Sequence, residues 1–129
     1  MYYNPVKINH LKFNSYLYIA KYLETIQDEN LNQKQVFDKP QKFYFNVQPV
    51  SQESEIREFG ELVNNMKVAV IPKTSKYIYK FHEFDVAYLD EATPTNELEY
   101  GDKANYRIYA IRNQNTIIKI FFIKRVINQ

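Results

Sequence analysis

The stretch from 104 to 124, "ANYRIYAIRNQNTIIKIFFIK", constrains the fold more than any other part of the chain. Two runs rich in β-branched and aromatic side chains flank the polar "NQN", the pattern of two strands paired through a turn. Alternation places Tyr106, Ile108 and Ala110 on one face of the first run, and Ile118, Ile120 and Phe122 on one face of the second. The remaining positions include Tyr109, Ile111, Ile117, Phe121 and Ile123, so both faces of the ribbon are apolar. Such a ribbon needs two coverings, one from its own domain core and one from outside it. The second covering is either a neighbouring subunit or the N-terminal segment of the chain.

Other segments repeat the strand pattern. "KFYFNVQPV", 42 to 50, sets Phe43, Phe45 and Val47 against Tyr44, Asn46 and Gln48, and Pro49 marks its end or an edge. "MKVAVIP", 66 to 72, and "FDVAYLD", 84 to 90, read as buried strands. "NSYLYIAKYLETI", 14 to 26, fits a strand with Tyr16, Tyr18, Ala20 and Tyr22 on one face, or a helix with Leu17, Ala20, Lys21 and Glu24 in register; its Tyr and Ile content favours the strand. The polar "QDENLNQKQ" that follows is a loop, and "DKP" at 38 to 40 breaks the chain before the next element, which suggests a long hairpin. "SQESEIREFGE" reads as one short helix with Ser51 and Ser54 as candidate N-caps and Gly60 as its stop. "KTSKYIYKFHEF", 73 to 84, suits either a strand or a helical face.

These signals predict a mainly β fold: a small single-domain barrel or sandwich of about six strands with one or two short helices, spanning 1–129. Twelve Tyr and nine Phe with no Trp agree, because such rings pack well on pleated surfaces. A chain of 129 residues with 45% hydrophobic content and two Gly is suited to one core. It has no Cys, which excludes disulfides and thiolate metal sites, and its two His, His10 and His82, are too far apart to suggest zinc. No signal-peptide pattern or run of 18 apolar residues is present, so neither secretion nor a membrane is expected.

Catalytic patterns are poor. His82, Glu83 and Asp85 form the nearest acid–base group, but on a strand His82 points away from the two acids. Ser51, Ser54 and Glu55 have no His beside them and are better explained as helix-capping residues. The acids at 97, 99 and 102 lack the ligand alternation and central Gly of a calcium loop. No enzyme activity and no cofactor are therefore expected. A binding alternative is a stacking platform for single-stranded nucleic acid made of Tyr106, Arg107, Tyr109 and Arg112. The net charge of +2 argues against bulk neutralisation of a nucleic acid.

That small total hides a sharp local contrast. Residues 90 to 102 carry Asp90, Glu91, Glu97, Glu99 and Asp102 with no base, whereas 103 to 125 carry Lys103, Arg107, Arg112, Lys119, Lys124 and Arg125 with no acid. These charges are either ordinary solvated ions or complementary contacts between neighbouring copies. On the second reading, Asp90, Glu91, Glu97, Glu99, Asp102, Lys103, Arg107, Arg112, Lys119 and Phe121 are the candidate subunit-interface residues.

Taken in order, "FNVQPVSQESE", "MKVAVIP", "FDVAYLD" and "YRIYAI" paired with "IIKIFFIK" resemble the small head-closure and head–tail joining proteins of long-tailed bacteriophages. The likeness covers about 41 to 125 and includes a strand ending in a Val-x-Pro-x-Ser step with a nearby Glu. The chain departs from that pattern at Gln52, where the family often has Gly, and in the acidic insertion at 91 to 102. The resemblance implies a β-barrel that assembles as a homo-oligomeric ring beneath the portal, closes the DNA-filled head and joins it to the tail. Its implied partners are the portal or adaptor ring and tail proteins, with packaged DNA in the channel and no membrane. It also implies synthesis in the host cytoplasm and residence in the virion. Tail completion at the same joint is the neighbouring role. The bias toward Asn, Lys, Tyr and Ile suits an AT-rich, Gram-positive host.

Overall fold

In the computed structural model the described residues are 15–73 and 81–126. They form β1 (Ser15–Ala20), β2 (Tyr22–Gln27), β3 (Gln33–Phe37), β4 (Gln41–Pro49), α1 (Glu53–Phe59), a 3-10 segment (Gly60–Asn65), β5 (Met66–Pro72), β6 (Val86–Tyr88), β7 (Tyr106–Asn113) and β8 (Ile117–Lys124). Six strands close into an antiparallel barrel in the order β1-β4-β5-β8-β7-β6, with β6 returning to pair with β1. The mainly β expectation is met, as a barrel. Strands β2 and β3 stand apart as a two-stranded hairpin.

Period-2 alternation fills the barrel. Leu17 and Ile19, Phe43 and Phe45, Ala69 and Ile71, and Ile118, Ile120 and Phe122 all point into one core. Phe43 and Phe45 stack at 5.3 Å, and Phe81 sits edge-on to them at 5.2 and 6.0 Å. Most of the ambiguous 73-to-84 stretch, residues 74–80, lies outside the described residues.

The structure corrects several expectations. A bulge interrupts β7: Ile108 pairs with Phe122 and Ala110 with Phe121, leaving Tyr109 as the extra residue. Tyr106 and Ile108 therefore face the interior, but Ala110 joins an outer cluster and Ile111 turns back toward the core. Strand β6 has three residues instead of the seven expected for 84 to 90, because Phe84 and Asp85 belong to the turn before it. Neither Ser51 nor Ser54 caps the helix; Gln52 occupies the N-cap without a side-chain bond, and its carbonyl accepts the Ile56 N–H at 2.9 Å. Gly60, at φ 60°, does end α1, and its N–H donates to the Ile56 carbonyl.

The second apolar face of the ribbon is covered from within the chain. Phe59, Val50 and Val63, from α1 and its flanking segments, pack on Met66, Val68, Ala110, Phe121 and Ile123. Phe59 meets Phe121 at 5.0 Å and Tyr109 at 5.8 Å. Neither of the two anticipated coverings was this helix. The same layer holds a buried ion pair, Lys119 Nζ to Glu55 Oε2 at 2.7 Å.

Candidate interaction surface

The described part of the 14-to-26 stretch forms strands β1 and β2 and no helix, and the chain leaves the barrel between them, at Lys21. Ala20 is fully buried and pairs with Val86, whereas β2 beyond Tyr22 is exposed. Asp85 holds the exit. It is 1% exposed, and its two carboxylate oxygens accept the backbone N–H groups of Tyr22 and His82, each at 2.9 Å. This dismantles the acid–base group, since the His82 and Glu83 side chains lie exposed while Asp85 serves the backbone.

The hairpin tip is a three-residue loop. The Asp28 carbonyl accepts the Leu31 N–H at 3.0 Å, the Asp28 N–H donates to the Asn32 carbonyl at 2.9 Å, and Asp28 Oδ1 accepts the N–H groups of Asn30 and Asn32. Leu31 sits in the left-handed region at φ 65° with 73% of its surface exposed. This conformation favours Gly or Asn, so a leucine there is costly to the fold.

The acidic connection packs against the base of this hairpin. The Tyr88 hydroxyl donates to the Glu97 carboxylate at 2.8 Å and accepts the Gly101 N–H at 2.8 Å. Burial, reinforced by the Glu97 carboxylate, pushes the Tyr88 phenol far above its ordinary range. Arg125 donates to the carbonyls of Gly101 and Ala104 at 2.7 and 3.0 Å, with its guanidinium 5.9 Å from the Phe37 ring. Burial lowers the Arg125 pKa from its usual value. Asn105 completes the connection by bonding both backbone groups of Leu89.

Most charges in the candidate interface set are engaged inside the chain. Asp90 pairs with Lys67, Glu99 with Lys34, Arg112 with Glu58 and Lys119 with Glu55. Hydrogen bonding to Glu99 raises the Lys34 pKa, and hydrogen bonding to Arg112 lowers that of Glu58. Glu97 accepts the Lys103 N–H, the Lys103 ammonium donates to the Thr95 carbonyl, and Asp102 accepts the Glu99 N–H. Glu91 is exposed, and Arg107 is exposed with its guanidinium 5.5 Å from the Tyr109 ring. Phe121 is 1% exposed beneath the helix. Among the described residues, no ion pair joins the acidic stretch to the basic one. The proposed stacking platform is likewise broken up: Tyr106 is a core residue, Tyr109 packs under Phe59 and Arg112 is held by Glu58.

The structure instead gathers apolar surface that the sequence reading passed over. Leu98 is 98% exposed, Tyr100 51% and Ile26 40%; together with Val36 they line a groove of about 420 Å³ on one face of the hairpin. A second groove of about 540 Å³ lies on the other face, lined by Thr25, Gln33, Gln35, Asp102 and Arg125. The signal was a lone leucine in each of two polar loops, Leu31 and Leu98. Among the described residues no group of three His, Asp or Glu side chains is placed to hold a metal. No helix among them is long and apolar enough to cross a membrane.

No family model, no curated protein and no solved structure matches this chain.

Proposed function

We propose that the chain is a structural connector subunit of a tailed bacteriophage, assembling as a ring beneath the portal to close the head and receive the tail. One observation carries this reading. Among the described residues, each of the six barrel strands has a neighbouring strand on both sides, whereas β2 and β3 have one neighbour each, and the exposed Leu31, Leu98 and Tyr100 lie on that hairpin and the loop beside it. This division suits a rigid body that attaches to other proteins through one end. Tail completion at the same joint draws on the same support. The expected outcome is co-purification with the portal complex and an added ring in electron micrographs of tailless heads. Phage lacking the chain that still retained DNA and attached tails would refute the role.

A second reading rests on exposed rings of the paired strands β1 and β4. Tyr16 and Tyr44, 62% and 42% exposed, bring their rings within 4.3 Å of each other, and Lys42 lies 4.5 Å from the Tyr16 ring. Aromatic rings beside a cation are suited to stacking single-stranded nucleic acid. Fluorescence titration with a short oligonucleotide at two salt concentrations separates the readings: salt-sensitive binding lost in Tyr16→Ala supports the second, and absence of binding removes it.

A further inference from the structure

Among the described residues, the backbone of β3 has one side with no strand beside it. The Asp28 N–H donates to the Asn32 carbonyl, and the Asp38 N–H donates to the Lys21 carbonyl at 2.8 Å. Positions 32 and 38 therefore both turn toward β2. Because successive residues of a strand turn their amide groups to opposite sides, 34 and 36 also face β2, while Gln33, Gln35 and Phe37 turn theirs outward. Among the described residues, no backbone hydrogen bond reaches these three from outside the hairpin. Such an edge is a template for another strand. On β2 the edge is interrupted by the irregularity between Tyr22 and Glu24, which leaves β3 as the more regular template.

The surroundings of that edge specify what it takes. The loop from 98 to 102 stands opposite β3 and walls both grooves, the apolar one and the polar one. A third strand laid along β3 sends alternate side chains to alternate faces, one set toward Ile26, Val36 and Leu98, the other toward Gln33, Gln35 and Asp102. Charge selects further. Residues 21 to 39 and 90 to 102 together hold nine acids and three lysines, leaving fourteen bases and six acids in the rest of the chain. Two copies pairing β3 edge to β3 edge would bring like-charged ends together, so the charge favours a basic segment over the same edge of a second copy.

We propose that the β3 edge and the 98-to-102 loop bind an extended basic peptide of a partner protein as an added strand, with apolar residues at alternate positions. The incoming bases lie on the polar face, beside Asp102. This surface follows from backbone geometry and charge, and stands whether or not the chain is a phage connector.

The test uses the full chain and three synthetic seven-residue probes: one alternating Lys with Val and Ile, the same peptide with two central Lys replaced by Pro and two outer residues by Lys to hold its charge, and an acidic version with Glu for Lys. The first should bind and slow hydrogen exchange at the Gln33 and Gln35 amides. Binding of the other two should be about tenfold weaker or more, as loss of main-chain hydrogen bonds or of charge attraction requires. In the protein, Gln35→Pro removes an outward N–H without touching the bonds to β2, a placement proline tolerates on an edge strand, and should weaken the first probe by a similar factor. Equal binding of the alternating and Pro-interrupted probes, or unchanged exchange at Gln33 and Gln35 at saturation, would overturn the proposal. The exchange measurement is made on the unmodified protein, so it decides the matter even if the Pro variant fails to fold.

Discussion

Gly101 lies so close to the ring of Phe37 that a Cβ at this position would stand 2.6 Å from Phe37 Cδ2. The contact joins the acidic loop to the root of the hairpin, and it depends on glycine twice: for space, and for a backbone at φ 91°. The two parts of the candidate binding surface are thus held in register by one missing methyl group.

Gly101→Ala should therefore destabilise the fold by about 2 kcal/mol or more, through left-handed strain and the displaced ring. Denaturant titration measures the loss. Amide exchange should accelerate in both β3 and the 98-to-104 loop. A variant as stable as the parent would show that loop and hairpin are not coupled through this contact.

The buried Lys119–Glu55 pair predicts an asymmetric response. Lys119→Met leaves the Glu55 carboxylate without its partner under α1 and should cost about 3–5 kcal/mol. Adding Glu55→Leu should recover most of that, because the layer around the pair is already apolar. A double variant no more stable than the single one would contradict this account.

Leu31 should behave in the opposite way. Replacing it with Gly or Asn relieves a left-handed backbone conformation and should stabilise the protein by roughly 1 kcal/mol, read as a higher thermal midpoint. If Leu31 supplies adhesive surface at the hairpin tip, the same change should weaken partner capture while it strengthens the fold. That combination separates a contact residue from a structural one.

Tyr88 predicts a pH effect in the alkaline range. Its phenol is held neutral in the folded protein by burial and by the Glu97 carboxylate, so its folded pKa lies above the unfolded value of 10.0. Stability from this group is present below pH 10.0 and declines as pH rises past it, where the unfolded chain gives up its proton first. Tyr88→Phe should cost about 1–3 kcal/mol at neutral pH, because the buried Gly101 N–H loses its acceptor. The gap between parent and variant should narrow above pH 10.0. Parallel pH profiles of the two proteins would argue against the assignment.

Much of the barrel was legible in advance. The run 66 to 72 is β5 at both ends, 42 to 49 falls within β4, and the two halves of the closing ribbon pair across their polar turn. Local pattern suffices there because a strand inside a barrel repeats the same in–out choice every two residues. The bulge at Tyr109 was not legible: its neighbours are apolar on both faces, so shifting Ala110 from one face to the other leaves the pattern acceptable either way. The three-residue length of β6 was hidden as well, because Asp85, which ends the hydrophobic run in space, is recruited by backbone groups of Tyr22 and His82.

By itself, the sequence determined that the chain builds strands, which residues alternate into a core, and that the last ribbon must be covered on both sides. Tertiary structure alone decided what covers it, which turned out to be the helix carrying Phe59, and which charges remain outside. The reason is physical. Periodicity is a property of neighbours along the chain, whereas Glu55 meeting Lys119, or Lys34 meeting Glu99, depends on partners more than sixty residues apart whose positions exist only after the barrel has closed.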